Sequence, residues 1–222
     1  MARGIIIVLD SLGIGGAPDA EKYGDIKANT LENILKFCEK ELLKNKRNSF
    51  LKIPNLINLG LLDALCYSKD VNSHIDSRKS SFCVARSNSV GKDTVSGHWE
   101  LAGVTTKKNW HYFPKTFPSI PQKLLDSVIT KFSIDGFIGN YNSSGVEIIN
   151  LLGDTHIKTK KPIIYTSSDS VIQVASHEKI HDIKVLYSIC EDLSKIFFPL
   201  GVCRIISRPF EDDLKGGFIR TK

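Results

Sequence analysis

The chain has 222 residues, 41% of them hydrophobic and 24% charged, with a formal net charge of +6. That length supports one large domain or two small ones and buries enough surface to fold without staples. No apolar run approaches the roughly 18 residues that span a bilayer. The lysines are scattered and form no basic stripe interleaved with aromatics, so membrane and nucleic-acid classes are set aside.

Residues 5–9, Ile5-Ile6-Ile7-Val8-Leu9, form a continuous β-branched run closed by Asp10. Such runs mark strands buried on both faces, as in parallel sheets. The run is too short for a signal-peptide core and no small-residue cleavage site follows. After the turn Gly13-Ile14-Gly15-Gly16-Ala17-Pro18, the spacing predicts a helix of about 15 residues from Asn29 or Thr30. Asn29 and Glu32 sit at the spacing of a capping box. A short helix is predicted over 55–65, a loop over 67–80 and a strand over 82–86. Pro121 sits where a helix could begin. Another helix is predicted over 145–152, ended by Gly153. Strands follow over 162–167 and 202–207, with a helix between them carrying Leu186, Tyr187, Cys190, Leu193 and Ile196. The alternation predicts an α/β or α+β architecture.

The five cysteines are odd in number, widely spaced and without a CxxC pair. A disulfide framework or zinc site does not fit, and a reduced, cytoplasmic setting does.

Several residues stand where chemistry is done. Asp10 ends a predicted strand, where ligands of parallel sheets sit and where an acid can hold a cation; a turn or cap role is the alternative. The glycines after it match neither the dinucleotide fingerprint nor the P-loop. Residues 91–100, GKDTVSGHWE, pack Lys92, Asp93, Thr94, Ser96, His98 and Glu100 between glycines. A threonine hydroxyl there becomes a nucleophile only with a base or a metal beside it; a polar loop anchored by Trp99 is the alternative. Ser167-Ser168-Asp169-Ser170 ends another predicted strand and can bind sugar hydroxyls or simply form a turn. Arg204 and Arg208 fall on one strand face and make a phosphate clamp unless nearby acids claim them. His74, His111, His156 and His181 show no metal-ligand spacing and read as structural or exposed.

Five segments in order resemble the phosphopentomutases, members of the alkaline phosphatase superfamily. They are IIIVLDSLGIGGAPDAEKYGD (5–25), GKDTVSGHWELAGV (91–104), GNYNSSGVEIINLLG (139–153), PIIYTSSDSVIQVASHE (162–178) and RIISRPF (204–210). The resemblance implies an α/β fold, a partial alkaline-phosphatase-like parallel-sheet core with an inserted α+β cap domain. On that pattern residues 1–102 are core, 103–215 are cap, and 216–222 return toward the core. It implies interconversion of (deoxy)ribose 1-phosphate and (deoxy)ribose 5-phosphate through a phosphothreonine. Thr94 matches the threonine that carries the phosphoryl group and touches metal, and Asp10 matches a metal ligand. Ser167, Asp169 and Arg204 match positions that hold the pentose phosphate. Two divalent ions, usually manganese, belong to the complete family site.

There are departures. Tyr141 and Val146 stand where the family usually has Lys and Thr, and Ser96 replaces a Thr. The family continues past Thr221 with a segment that supplies most metal ligands, so the sequence reads as C-terminally truncated. Two expectations follow: a separate C-terminal fragment completes the enzyme, or the chain is a catalytically inactive remnant or sugar-phosphate-binding fragment. A cofactor-independent phosphoglycerate mutase, which uses serine, is disfavoured by Thr94. Residues 1–100 are expected to be less stable than the cap.

Overall fold

The computed structural model describes residues 3–9, 11–45, 51–69 and 80–221. The chain divides into two compact units, residues 1–87 and 88–222.

The first unit is helical among its described residues. Helix α1 spans Thr30–Asn45. Of the predicted capping box the N-cap half forms, Asn29 Oδ1 accepting the Glu32 N–H at 3.3 Å, while the Glu32 carboxylate accepts the Asn29 side-chain amide at 2.9 Å. The helix predicted over 55–65 is two, α2 at Pro54–Asn58 and α3 at Leu61–Tyr67. Gly60 divides them at φ 89°, with Phe82 packed so close that a Cβ would lie 2.9 Å from it. A left-handed residue cannot continue a helix, and only glycine takes it cheaply. The strands expected at 5–9 and 82–86 are corrected: neither segment is a strand, and Ile5, Ile6 and Ile7 are largely exposed. A strand exists through its ladder, and the described residues of this unit offer no strand to pair with. The loop expected over 67–80 lies mostly outside the described residues, as does His74.

The second unit holds helix α4 at Thr94–Leu101, α5 at Asp126–Phe132, and then the sheet. The sheet comprises β1 (Ile138–Asn142), β2 (Ile163–Thr166), β3 (Val171–His177), β4 (Arg204–Asp212) and β5 (Phe218–Arg220). Spatial order equals chain order. β1 and β2 run parallel, as do β3 and β4, whereas the β2–β3 and β4–β5 pairs are antiparallel. The α/β class therefore holds, with a mixed sheet. Helix α6 (Gly145–Thr159) links β1 to β2, and α7 (Ile183–Phe197) links β3 to β4.

Crossover handedness fixes where these helices go. Both crossovers step the same way across the sheet, but the strands of the second pair run opposite to those of the first. Right-handed connections must then place α6 and α7 on opposite faces. The cores follow: Ile148, Ile163, Tyr165, Ala175 and Phe210 pack on the α6 side. Ile164, Ile172, Val174, Leu186, Ile189 and Leu193 pack on the α7 side.

Gly153 does not end α6, as expected from sequence, but lies in its middle. A Cβ there would lie 2.2 Å from the Phe218 ring. The residue is glycine because β5 packs its aromatic ring against the helix backbone. Lys160, at φ 57°, is the cap instead.

Candidate active site

The segment around α4 is folded tightly before any chemistry is considered. Gly91, at φ 89°, lies under Trp110, where a Cβ would come within 2.7 Å of the indole. The Lys92 N–H donates to Tyr112 Oη at 2.5 Å, and the Tyr112 hydroxyl donates back to the Lys92 carbonyl at 3.1 Å. Glu100 accepts the N–H groups of Asn88 and Ser89 at 2.6 and 3.1 Å. Ser96, buried, accepts the Trp110 indole N–H at 2.8 Å. These bonds set the direction of the helix. Asp93 is its N-cap: Oδ1 accepts the Val95 N–H at 2.9 Å. Thr94 follows as the first helical residue and is exposed. His98 donates Nδ1–H to the Thr94 carbonyl at 2.8 Å. Trp99, offered as a core anchor, is half exposed.

The second group of predicted residues lies where the β2–β3 hairpin meets the start of β4. Ser167 Oγ accepts the Asp169 N–H at 3.4 Å. Ser170 joins the hairpin to β4, its carbonyl accepting the Cys203 and Arg204 N–H groups at 3.1 Å. Arg204 Nη2 donates to Asp169 Oδ2 at 3.1 Å and to Asp93 Oδ2 at 3.0 Å, and its Nε donates to the same Asp93 oxygen at 3.3 Å. One guanidinium therefore ties the cap of the Thr94 helix to the sugar-binding candidates. Burial, and then the Asp93 carboxylate, push the neighbouring Cys203 thiol up to about 12, so it stays protonated.

Arg208 lies further along β4, its Nε donating to Gln173 Oε1 at 2.9 Å; that oxygen also accepts the Tyr165 hydroxyl at 3.2 Å. A cleft of about 270 Å³ opens beside it, lined by Gly145 and Asn150 of α6, Arg208, and Phe218 and Arg220 of β5.

The structure thus brings Ser167, Asp169 and Arg204 to one place and links Thr94 to them through its neighbour. Asp10 lies outside the described residues. Sequence reasoning missed the role of Asp93, although an Asp directly before Thr-Val-Ser is an N-cap signal. It also missed Arg220, which only the β4–β5 pairing brings beside Arg208.

The described residues do not by themselves fit a divalent metal. Among them, no group of three or more His, Cys, Asp or Glu side chains is placed to hold an ion, and hard divalent cations take several anionic or imidazole ligands each. Also among them, no helix is long and apolar enough to cross a membrane, and all five cysteines are free.

No protein-family model matches the chain. Individual relatives do. A phosphopentomutase of Pseudoalteromonas translucida is 45% identical over 224 residues, covering 100% of this chain and 54% of its own length. The phosphopentomutase of Elusimicrobium minutum is 45% identical over 229 residues, with 100% and 55% covered. That of Agrobacterium fabrum is 43% identical over 227 residues, with 100% and 56% covered. The chain spans about half the length of the curated relatives it matches.

Proposed function

We propose that this chain, which is related along its whole length to the phosphopentomutases, carries the phosphoryl-accepting threonine and the pentose-phosphate cradle of such an isomerase. The reaction is the interconversion of (deoxy)ribose 1-phosphate and (deoxy)ribose 5-phosphate. One observation supports this reading most: Arg204, a phosphate-binding candidate, is bonded both to Asp169 and to the residue that caps the Thr94 helix.

In this reading phosphorylated Thr94 gives up its phosphoryl group to a sugar hydroxyl. The sugar oxygen forms the new bond to phosphorus, the bond from phosphorus to Thr94 Oγ breaks, and the hydroxyl proton passes to Oγ. The resulting bisphosphate turns round. Thr94 Oγ then attacks the other phosphorus and loses its proton to the departing sugar oxygen, so protons and phosphoryl groups balance over the cycle. Arg204 holds the phosphate not being transferred, and Ser167 and Asp169 hold the ribose hydroxyls. Holding both ends of a small substrate turns a bimolecular transfer into an intramolecular one, which lowers the entropic part of the barrier.

Two manganese ions, with Asp10 and Thr94 among their ligands, are part of the proposal; when bound, such ions stabilise charge on the oxygens of an in-line transfer. We also propose the division into core (1–102), cap (103–215) and returning segment (216–222), a cytoplasmic setting, and a separate polypeptide equivalent to the rest of the relatives' length as partner. A second reading, a sugar-phosphate-binding chain without turnover, rests on the contact of Arg204 with Asp169 alone.

A coupled assay from ribose 1-phosphate to ribose 5-phosphate with manganese separates the two. It is run on the chain alone and with the complementary polypeptide added. Turnover in either case, together with a phosphate on the Thr94 peptide by mass spectrometry and loss of both in Thr94→Ala, is expected. Turnover that survives Thr94→Ala overturns the phosphothreonine route. Binding of ribose 5-phosphate without turnover in either case establishes the second reading.

A further inference from the structure

We infer that Asp93 acts as an internal competitor for phosphate at Arg204, so that a sugar phosphate binds by displacing this carboxylate. The inference rests on the reading of Arg204 as the phosphate-holding residue.

The geometry is specific. A guanidinium grips a phosphate through two adjacent N–H groups that point the same way. In Arg204 the Nε–Nη2 pair is such a fork, and both members point at Asp93 Oδ2, at 3.3 and 3.0 Å. Nη2 is used a second time, by Asp169 Oδ2 at 3.1 Å. The Asp93 side chain is 0% exposed, while that of Arg204 is 24% exposed and that of Asp169 is 32% exposed. The buried carboxylate thus occupies the fork itself, and a ligand that reaches Arg204 from solvent finds that edge already taken.

Charge points the same way. One guanidinium between two carboxylates is a cluster of net charge −1, so an incoming anion gains less from Arg204 than it would with the Asp93 charge removed. A doubly charged phosphate ester competes better for the fork than a singly charged carboxylate does. Asp93 therefore sets a threshold that a dianion passes and a carboxylate ligand does not. Exchange also has a consequence for Thr94. Asp93 Oδ1 remains on the Val95 N–H, so α4 stays capped while Oδ2 loses its two bonds to Arg204. Phosphate arrival at Arg204 is thereby felt one residue from the nucleophile.

The test is calorimetric titration of the full chain with ribose 5-phosphate. Asp93→Asn and Asp93→Ser both keep a good N-cap and remove the competing charge. Each is expected to bind at least about tenfold tighter than the natural chain, a difference of about 1.4 kcal/mol. Arg204→Gln is expected to abolish binding, alone or combined with Asp93→Asn. Unchanged or weaker binding in both Asp93 variants, with Arg204→Gln still defective, overturns the competition and leaves the site standing. Equal binding by the natural chain and Arg204→Gln overturns the site itself. If both Asp93 variants lose their far-UV helical signal, Asp93 is a structural residue only and the inference fails.

Discussion

Residues 5–9 and strand β3 are both rich in isoleucine and valine, and they end in opposite states. Ile5 is 84% exposed and has no strand partner, whereas Ile172 is 0% exposed between β2 and β4. The difference does not lie in the side chains, since the earlier run is the more apolar. It lies in the ladder. β3 has a parallel neighbour on one edge and an antiparallel neighbour on the other, and α6 and α7 cover its two faces. An apolar run becomes a strand when neighbours take up its backbone N–H and C=O groups. It contributes to stability only when a layer covers its side chains.

The largest test of that contrast is one change made in both regions. Ile172→Ala removes a side chain packed in the α7-side core and is expected to cost about 2–5 kcal/mol in urea unfolding followed by circular dichroism. Ile6→Ala, at a position 75% exposed, is expected to change stability by less than about 0.5 kcal/mol. Comparable losses at the two sites would show that residues 5–9 are covered in solution. Hydrogen exchange sharpens the same point. Amides of β3 should be protected to nearly the global unfolding free energy, and those of residues 5–9 hardly at all.

A smaller effect is expected from adding a methyl group to a glycine in each region. At Gly153 the new carbon would come within 2.2 Å of Phe218. Overpacking of that kind costs about 1–3 kcal/mol, offset by up to about 1 kcal/mol from the better helix propensity of alanine. Gly153→Ala is therefore expected to lower the stability of the second unit on balance, and Phe218→Ala in the same chain should relieve the clash. Gly16→Ala in the first unit meets nothing nearer than 3.4 Å, an ordinary contact, and is expected to be near neutral. If Gly153→Ala were the milder of the two, the close approach of β5 to α6 would be wrong.

What the sequence disclosed follows the range of the interactions involved. Helix α1 and its Asn29–Glu32 cap were legible because every partner lies within four residues. The site residues were legible as motifs, Thr94 in one and Ser167, Asp169 and Arg204 in two others. Their connection was not: Asp93 and Arg204 are 111 positions apart. Strand β3 was missed because Gln173, Ser176 and His177 interrupt its apolar pattern. Gln173 and Ser176 are buried at little cost because Arg208, Tyr165, His156 and His181 answer them from elsewhere, and His156 also takes the His177 backbone N–H. Gly153 misled for the same reason, since the residue that demands it is Phe218. The strand at 5–9 was over-read because an apolar run states a preference for burial and says nothing of which partner provides it.

The gentlest expected effect is a tilt of stability with pH, and it falls in different windows in the two units. In the second unit His156, on the inner face of α6, is fully buried. Its Nδ1–H donates to the Lys161 carbonyl at 2.7 Å, and its Nε2 accepts the His177 backbone N–H at 2.9 Å. The ring is therefore neutral, and a second proton would replace an acceptor with a donor facing a donor. Burial lowers its pKa first, with His181 and His177 adding to that against the Lys161 carbonyl; burial lowers His181 as well. The unfolded chain titrates near 6.5, so below that pH it binds more protons than the folded one. Stability is then complete above about 6.5 and declines as pH falls toward the lowered folded values. In the first unit the matching group is Glu32, held at about 2 instead of 4.5 by Lys36 and Lys69. Its contribution is present above 4.5 and is lost only as pH falls toward 2. Thermal melts between pH 7.5 and 5.5 should therefore weaken the second unit alone, and His156→Asn should flatten that slope while lowering stability throughout. A slope unchanged by His156→Asn would leave His181 as its source, and a second unit that gains stability on acidification would contradict the buried neutral ring.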